Sequence, residues 1–312
     1  MDKKTIKIGT RGSQLALYQA YRTRDELSAA FPEHKVEIVI IKTKGDKILD
    51  VALSKIGDKG LFTKELEVAL IDGRVDLAVH SLKDLPTTLP EKLCLGGVLE
   101  RGEFRDALVS KNGKKLNELT NEDVIATSSL RRAAQLLKYN PDFKIVDIRG
   151  NVNTRLKKME DGYCDAMIMA AAGMQRLDFG DQITEILDTN VMIPAVSQGA
   201  IAIEIRENDP FISELINKIT HKGTLNAILA ERVFLKKLEG GCQIPIGCFT
   251  EIKEQDFSIT GFISSLDGSE VIQDTFSGEL KDAQKIAADL AGLFIEKGAT
   301  RILDEIRKRN ES

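Results

Sequence analysis

The chain has 312 residues and a net charge of −4, with hydrophobic and charged fractions of 42% and 29% that are ordinary for a globular protein. This length allows two or three domains with their own cores. The acidic balance argues against a nucleic-acid partner, and no apolar run reaches the roughly 18 residues of a membrane span. The first residues run directly into a strand pattern without a signal-peptide core, so we expect a cytoplasmic protein.

The first part of the chain alternates strand and helix patterns. Strand patterns at 5–11, 36–43 and 75–80 enclose helical patterns at 13–30 and 62–71. This β-α-β-α-β order favours a parallel sheet with right-handed crossovers. The β-branched run at 36–43 predicts a buried strand.

The segment 44–60 interrupts this series. It contains three glycines, four lysines and three aspartates, with few apolar residues between them. A charged segment of this length is typical of a functional loop, and we expect it to act as a lid.

A second α/β series follows from Asp106. Its strand patterns lie at 107–109, 124–126, 143–148 and 166–169, and its helical patterns lie near 130–138 and 154–160. A further strand pattern at 200–205 is too isolated to belong to this series. We expect that strand to return to the first sheet, which makes the first domain discontinuous.

The order changes again from residue 224. A helical pattern at 224–238 precedes strand patterns at 248–252, 257–265 and 271–277, and helices follow from Asp282. Residues 266–269, Leu-Asp-Gly-Ser, are typical of a hairpin turn. The sequence therefore predicts a C-terminal α+β module.

Polar side chains gather directly after four of the predicted strands, at 10–13, 81–84, 127–132 and 149–155. In open α/β sheets ligands bind beyond the carboxyl ends of the strands, where helix N-termini offer N–H groups. Any single turn is equally consistent with a helix cap or a surface arginine. Four such turns predict a cleft between two domains that holds a ligand with several negative groups. Neither a dinucleotide-binding nor a P-loop glycine pattern is present.

Cys242 follows two glycines in the segment 240–247, so its sulfur is not screened by neighbouring side chains. A structural buried cysteine and a reactive or modified cysteine are both consistent with that position. The four cysteines have no C-x-x-C spacing and the three histidines form no ligand pattern, so we expect free thiols and no metal site.

Seven blocks resemble the porphobilinogen deaminase family in order along nearly the whole chain. They are GTRGS at 9–13, KGLFTKELE at 59–67, AVHSLKDLP at 78–86, SSLRR at 128–132, RGNVNTRL at 149–156, PAVSQGA at 194–200 and GGCQIPIG at 240–247. Together these blocks are highly specific.

The resemblance implies an α/β fold with two periplasmic-binding-protein-like (type II) domains and a C-terminal α+β domain. The implied domains are 1–99 with 200–218, then 100–199, then 219–312. It also implies a transferase that joins four porphobilinogen molecules head to tail, releases ammonia each time and yields hydroxymethylbilane. The cofactor implied is a dipyrromethane bound to Cys242 by a thioether. We expect the enzyme to be a monomer.

Site residues are implied position by position. The residue matching the catalytic aspartate is Asp84. The cofactor-binding positions are Cys242, Lys83, Asp84, Ser129, Arg131, Arg132, Arg149 and Arg155. The substrate-binding positions are Arg11, Ser13, Gln19, Ser81, Thr127, Arg149, Gly150, Arg155, Arg176 and Gln198.

Three positions depart from the family pattern. Ser197 stands where the family usually has glycine, which we expect to tighten a hinge. Cys164 and Cys248 occupy positions that are usually not cysteine, so extra thiol reactivity is a possible consequence.

Two other classes of function are consistent with parts of the sequence. A non-catalytic two-lobed anion-binding protein explains the polar turns but not the Gly-Gly-Cys segment. A cysteine hydrolase requires a histidine near the thiol, whereas His80 ends a strand pattern and is typical of a hydrogen-bonded core residue.

Overall fold

The computed structural model describes residues 4–47, 61–238 and 244–311. Most of the predicted lid, residues 48–60, and the cysteine segment 239–243 lie outside the described residues. The chain divides into two compact units. Unit 1 comprises the described residues of 4–47, 61–102 and 200–225, and unit 2 those of 103–199 and 226–311. The finer domain boundaries expected at 99, 199 and 218 stay a prediction.

The strands in chain order are β1 (Thr5–Thr10), β2 (Lys35–Ile40), β3 (Leu77–Ser81), β4 (Leu93–Val98), β5 (Asp106–Ser110), β6 (Val124–Ala126), β7 (Lys144–Val146), β8 (Ala166–Ala170), β9 (Glu185–Ile186), β10 (Ile201–Arg206), β11 (Ile246–Lys253), β12 (Asp256–Ser264) and β13 (Val271–Glu279). The helices are α1 (Gln14–Ala30), α2 (Lys44–Lys47), α3 (Lys64–Ile71), α4 (Leu130–Tyr139), α5 (Val152–Glu160), α6 (Ala171–Gln175), α7 (Pro210–Ile219), α8 (Lys222–Lys237), α9 (Ala283–Glu296) and α10 (Ala299–Glu311). Among the described residues, no helix is both long enough and apolar enough to cross a membrane.

Two sheets share one topology in the described chain. The order is β2-β1-β3-β10-β4 in unit 1 and β7-β6-β8-β5-β9 in unit 2. In each sheet the first three strands are parallel, and the fourth is antiparallel to both of its neighbours. The expected return of the late strand is confirmed, because Ile201 pairs with Ser81 and Ile205 pairs with Leu77.

Some elements differ from the sequence predictions. The sheets are mixed rather than purely parallel, because β10 and β5 each run antiparallel to both of their neighbours. β2 is an edge strand with mostly half-buried residues rather than a buried one, and its Ile40 is 56% exposed. β-Branched residues suit both kinds of strand. The predicted loop at 44–60 begins with the short helix α2.

The C-terminal module has the predicted α+β character. β11, β12 and β13 form an antiparallel sheet, and the predicted hairpin turn joins β12 to β13. Phe234 of α8 and Phe294 of α9 meet edge to face, with ring centroids 5.1 Å apart, in the core of this module. Gly261 of β12 lies against them, and a Cβ there would come within 2.6 Å of the Phe234 ring.

The core of unit 1 contains buried polar side chains in its sheet and in α3. Nε2 of His80 lies 3.0 Å from a carboxylate oxygen of Glu204, which confirms His80 as a hydrogen-bonded core residue. Glu67 of α3 is also buried, and burial raises its pKa, with a further contribution from the charge of Glu204. The folded protein therefore favours the neutral form of Glu67.

We expect Glu67→Gln to raise the melting temperature at pH 7. A raised pKa in the folded state means that the ionised carboxylate opposes folding above that pKa, and the amide removes this cost. The gain should shrink as the pH falls below the ordinary glutamate pKa of about 4.3, where the carboxyl group becomes protonated in both states. Thermal unfolding of the parent protein and the variant at several pH values measures the gain in melting temperature. Glu214→Gln, on the exposed face of α7, is the control. A gain independent of pH would contradict the role of charge.

Candidate active site

Asp84 lies in a short 3-10 turn, Leu82–Asp84, that follows β3. Leu82 and Leu85 on either side of it are buried, with exposures of 0% and 3%. The backbone N–H of Leu82 donates to the carbonyl of Ala200 at 3.0 Å, and that of Leu85 donates to the carbonyl of Leu82 at 3.1 Å. The exposed carboxylate of Asp84 is thus carried by a turn with buried anchors on both sides, beside the half-buried Lys83.

The other candidate residues of unit 1 gather at the ends of β1 and β3, which are neighbours in the sheet. Gln19, only 2% exposed, donates its amide to the hydroxyl of Ser81 at 2.8 Å. Ser13 caps α1 by accepting a hydrogen bond from the N–H of Ala16 at 3.4 Å. The guanidinium of Arg11 lies 4.2 Å from the centre of the Phe62 ring.

In unit 2 the turns after β6 and β7 are joined directly. The hydroxyl of Ser128 donates to the carbonyl of Ile148 at 2.8 Å and accepts from its N–H at 2.9 Å. Next to this link, the buried hydroxyl of Thr127 accepts from the N–H of Ser129 at 3.2 Å. Ser129 is the N-cap of α4. Two of the predicted polar turns therefore form one surface.

The turn after β7 depends on Gly150. Its φ is +115°, and a Cβ would lie 2.6 Å from the side chain of Thr154. Its carbonyl accepts a hydrogen bond from Nε of Arg155 at 2.9 Å, and the carbonyl of Arg149 accepts one from Lys158 at 3.1 Å. Asn151 caps α5 by accepting from the N–H of Thr154.

Three arginines of these turns form a cationic cluster. Burial, together with the charges of Arg132 and Arg149, lowers the pKa of Arg155 to about 10. Nη2 of Arg149 is buried and has no hydrogen-bond partner among the described residues. Crowded guanidinium groups with an unpartnered buried donor fit an anionic ligand, because an anion offsets the repulsion and accepts the hydrogen bond.

A buried carboxylate that sequence patterns missed lies beside this cluster. Asp106, 0% exposed, accepts hydrogen bonds on Oδ1 from Nε and Nη2 of Arg132, at 3.0 and 2.7 Å. Its Oδ2 lies 2.8 Å from Nη1 of Arg131, in an ion pair without the alignment of a hydrogen bond. Burial opposes the ionisation of Asp106, but the two arginines prevail and hold its pKa well below the usual range.

Two predicted substrate-binding residues also contact the protein itself. Nε2 of Gln198 donates to Oδ1 of Asp106 and to the carbonyl of Phe104, both at 2.9 Å, and the side chain is 1% exposed. Nη2 of Arg176 donates to the carbonyl of Gly199 at 2.6 Å. The substrate contacts assigned to these residues stay predictions.

One signal in the sequence could have led to Asp106, although the sequence analysis did not use it. Two consecutive arginines in the first turn of a helix meet the positive end of the helix dipole, so their burial calls for a nearby anion. An aspartate that opens an apolar strand is a candidate for it.

The structure shows the surroundings of the three residues that depart from the family pattern, Cys164, Cys248 and Ser197. Cys164 and Cys248 are buried, and burial raises the pKa of Cys164 to about 11, which disfavours the reactive thiolate. Ser197 has a φ of +62°, in the left-handed region that glycine adopts more readily. Its N–H donates to the buried carboxylate of Glu231 at 2.6 Å. Cys242 lies outside the described residues.

The structure defines an α/β fold of the type II periplasmic-binding-protein kind, with two mixed sheets and a C-terminal α+β module, and its turns carry an arginine cluster that fits an anion. A family model described as "Porphobilinogen deaminase, dipyromethane cofactor binding domain" matches residues 6–214, and "Porphobilinogen deaminase, C-terminal domain" matches residues 225–296. The chain belongs to the porphobilinogen deaminase family.

Curated relatives agree with this assignment. The porphobilinogen deaminase of Carboxydothermus hydrogenoformans is 50% identical over 306 residues, covering 98% of each chain. That of Desulforamulus reducens is 48% identical over 305 residues, covering 98% of this chain and 99% of its own.

A TRAP periplasmic solute binding protein from Desulfovibrio salexigens is similar in structure, with a TM-score of 0.45 and 11% identity. It covers 72% of this chain and 74% of its own.

We expect Gly150→Ala to destabilise the protein more than Gly113→Ala. The φ of +71° at Gly113 lies at the left-handed region, where alanine costs about 1–2 kcal/mol, whereas the φ of +115° at Gly150 lies outside that region and strains alanine more. Nothing lies within 4 Å of a Cβ at Gly113, whereas the clash with Thr154 at Gly150 adds about 1–3 kcal/mol. Denaturant unfolding of the two variants measures the difference. Equal losses would contradict both the added backbone strain and the clash.

Proposed function

We propose that this chain is a porphobilinogen deaminase, that is, a hydroxymethylbilane synthase. It joins four porphobilinogen molecules head to tail, releases one ammonia for each and yields hydroxymethylbilane. The observation that carries the proposal is the arginine cluster of the buried Arg132 and the half-buried Arg149 and Arg155 in a chain of this family. Porphobilinogen bears an acetate and a propionate side chain, and a chain of such rings is the polyanion that this cluster suits.

The proposed cofactor is a dipyrromethane attached to Cys242 through a thioether. When bound, it supplies the pyrrole position at which elongation begins. Arg131, Arg132, Arg149 and Arg155 bind its carboxylates, and Lys83 and Ser129 assist. The remaining candidates bind the substrate: Arg11, Ser13, Gln19, Ser81, Thr127, Gly150, Arg176 and Gln198.

Asp84 is proposed to act through its negative charge. Loss of ammonia from porphobilinogen leaves a cationic methylene-pyrrolenine, whose positive charge reaches the ring N–H. A carboxylate about 4 Å away contributes about 4 kcal/mol at an effective dielectric constant of about 20. That energy corresponds to about three powers of ten in rate. Asp84 also accepts the proton released after each ring addition.

The proposal includes the oligomeric state and the cellular location of the enzyme. It is a monomer in the cytoplasm that acts on a small molecule, without a nucleic-acid or membrane partner. The absence of a nucleic-acid partner follows from the net charge of −4.

Replacing Cys242 by serine should abolish the covalent cofactor and leave the fold intact. Intact-protein mass spectrometry of the parent protein should show an excess equal to two deaminated porphobilinogen units. That excess should vanish in Cys242→Ser and persist in Cys94→Ser, which removes a half-buried thiol. An excess that persists in Cys242→Ser would place the anchor on another residue. A parent protein without any excess would favour a non-catalytic anion-binding protein.

Substitutions at Asp84 distinguish charge from shape. We expect Asp84→Asn to be nearly as damaging as Asp84→Ala, because the amide keeps the shape but loses the charge. Asp84→Glu should retain some activity. Steady-state rates of porphobilinogen consumption measure all three. An asparagine variant faster than the glutamate variant would refute electrostatic stabilisation.

A further inference from the structure

Asp106 is the acidic residue on which the two arginines at the start of α4 converge. Its Oδ1 accepts from Nε and Nη2 of Arg132 and from the amide of Gln198, and its Oδ2 pairs with Nη1 of Arg131. All four residues are at most 6% exposed. The carboxylate is ionised at neutral pH, so one negative charge faces two positive charges and the group retains a net positive charge.

The contacts of Asp106 determine which arginine donors are left. A guanidinium has five N–H groups. In Arg132, Nε and Nη2 bond Asp106, and Nη1 bonds the carbonyl of Ile168 at 2.9 Å, which leaves one N–H on each terminal nitrogen. In Arg131, Nη1 donates to the carbonyl of Ile193 at 2.5 Å, while the buried Nε has no partner among the described residues. These contacts fix the guanidinium groups of both arginines, so their remaining N–H groups lie at fixed positions.

Gln198 supports the carboxylate from another part of the chain. Its amide nitrogen donates to Asp106 and to the carbonyl of Phe104. The chain enters unit 2 at Glu103 and leaves this part of the unit at Gly199, so the amide joins the entering and leaving segments. A rotation of Asp106 would break this link as well as both arginine contacts.

We propose that Asp106 is a positioning residue that fixes the directions in which Arg131 and Arg132 offer their remaining N–H groups to ligand carboxylates. Gln198 holds Asp106 in place. This inference rests on the proposed function, in which the ligand is the dipyrromethane and the growing pyrrole chain. A buried counter-ion alone would neutralise charge, whereas this arrangement also leaves a net positive charge with oriented donors.

The test is Asp106→Asn, with Asp123→Asn as the matched control. Asp123 is also a mostly buried aspartate of unit 2, and it pairs with Lys114 at 2.7 Å. Intact mass gives the fraction of protein that carries the cofactor, and steady-state kinetics give kcat and KM for porphobilinogen. We expect Asp106→Asn to reduce the loaded fraction at least threefold. In the loaded protein, KM should rise about tenfold to hundredfold with a smaller change in kcat, the size expected for one misplaced charged hydrogen bond. The control should match the parent within about twofold in both readouts.

A double variant separates positioning from a general structural role. If Asp106 acts through Arg132, adding Asp106→Asn to Arg132→Leu should lower cofactor loading little further, whereas independent structural losses add. Additive losses in loading would overturn the inference, as would unchanged loading and KM in Asp106→Asn. If Asp106→Asn does not fold, Gln198→Leu decides through cofactor loading, because Gln198 has a proposed contact with the substrate but none with the cofactor. The loaded fraction should fall severalfold, and unchanged loading would overturn the inference. A parent protein with neither mass excess nor porphobilinogen consumption would instead refute the proposed function.

Discussion

Two arginines in the first turn of α4 are buried at the end of the helix where the backbone N–H groups are unpaired and the dipole is positive. Such an arrangement is unfavourable unless an anion lies within contact distance. Asp106 supplies that anion from β5, which is the strand that runs antiparallel to its neighbours in this sheet. The mixed topology of the sheet is therefore linked to its chemistry, because it brings the opening residue of β5 to the start of α4.

The candidate residues of the two units differ in charge. In unit 1 the exposed candidate carboxylate is that of Asp84, on a turn between two buried leucines. Unit 2 presents the crowded guanidinium groups of Arg132, Arg149 and Arg155. Carboxylates of a pyrrole chain require cations throughout elongation, whereas the cationic intermediate requires an anion only briefly.

Local patterns predicted most of the framework. The cap Ser13, the polar turns, the hairpin and the returning strand were predicted because each has a signal in the residues around it. α7 was missed although Asp209 and Pro210 form a recognisable helix start. Asp106 and the inward direction of the Gln198 amide were not predicted. Both depend on partners far along the chain, and no spacing rule encodes such contacts.

The pairing of β4 has a consequence for the order in which the protein is made. In the described chain β4 pairs with β10 alone, and their register joins Leu93 to Arg206 and Val98 to Ala202. A ribosome has therefore added about a hundred further residues before β4 has its partner. Until then the edge of β3 is also open, since β10 covers it. During this stretch of synthesis the incomplete first sheet has unpaired backbone groups at the edge of β3. We therefore expect the nascent chain to need chaperone protection at this stage.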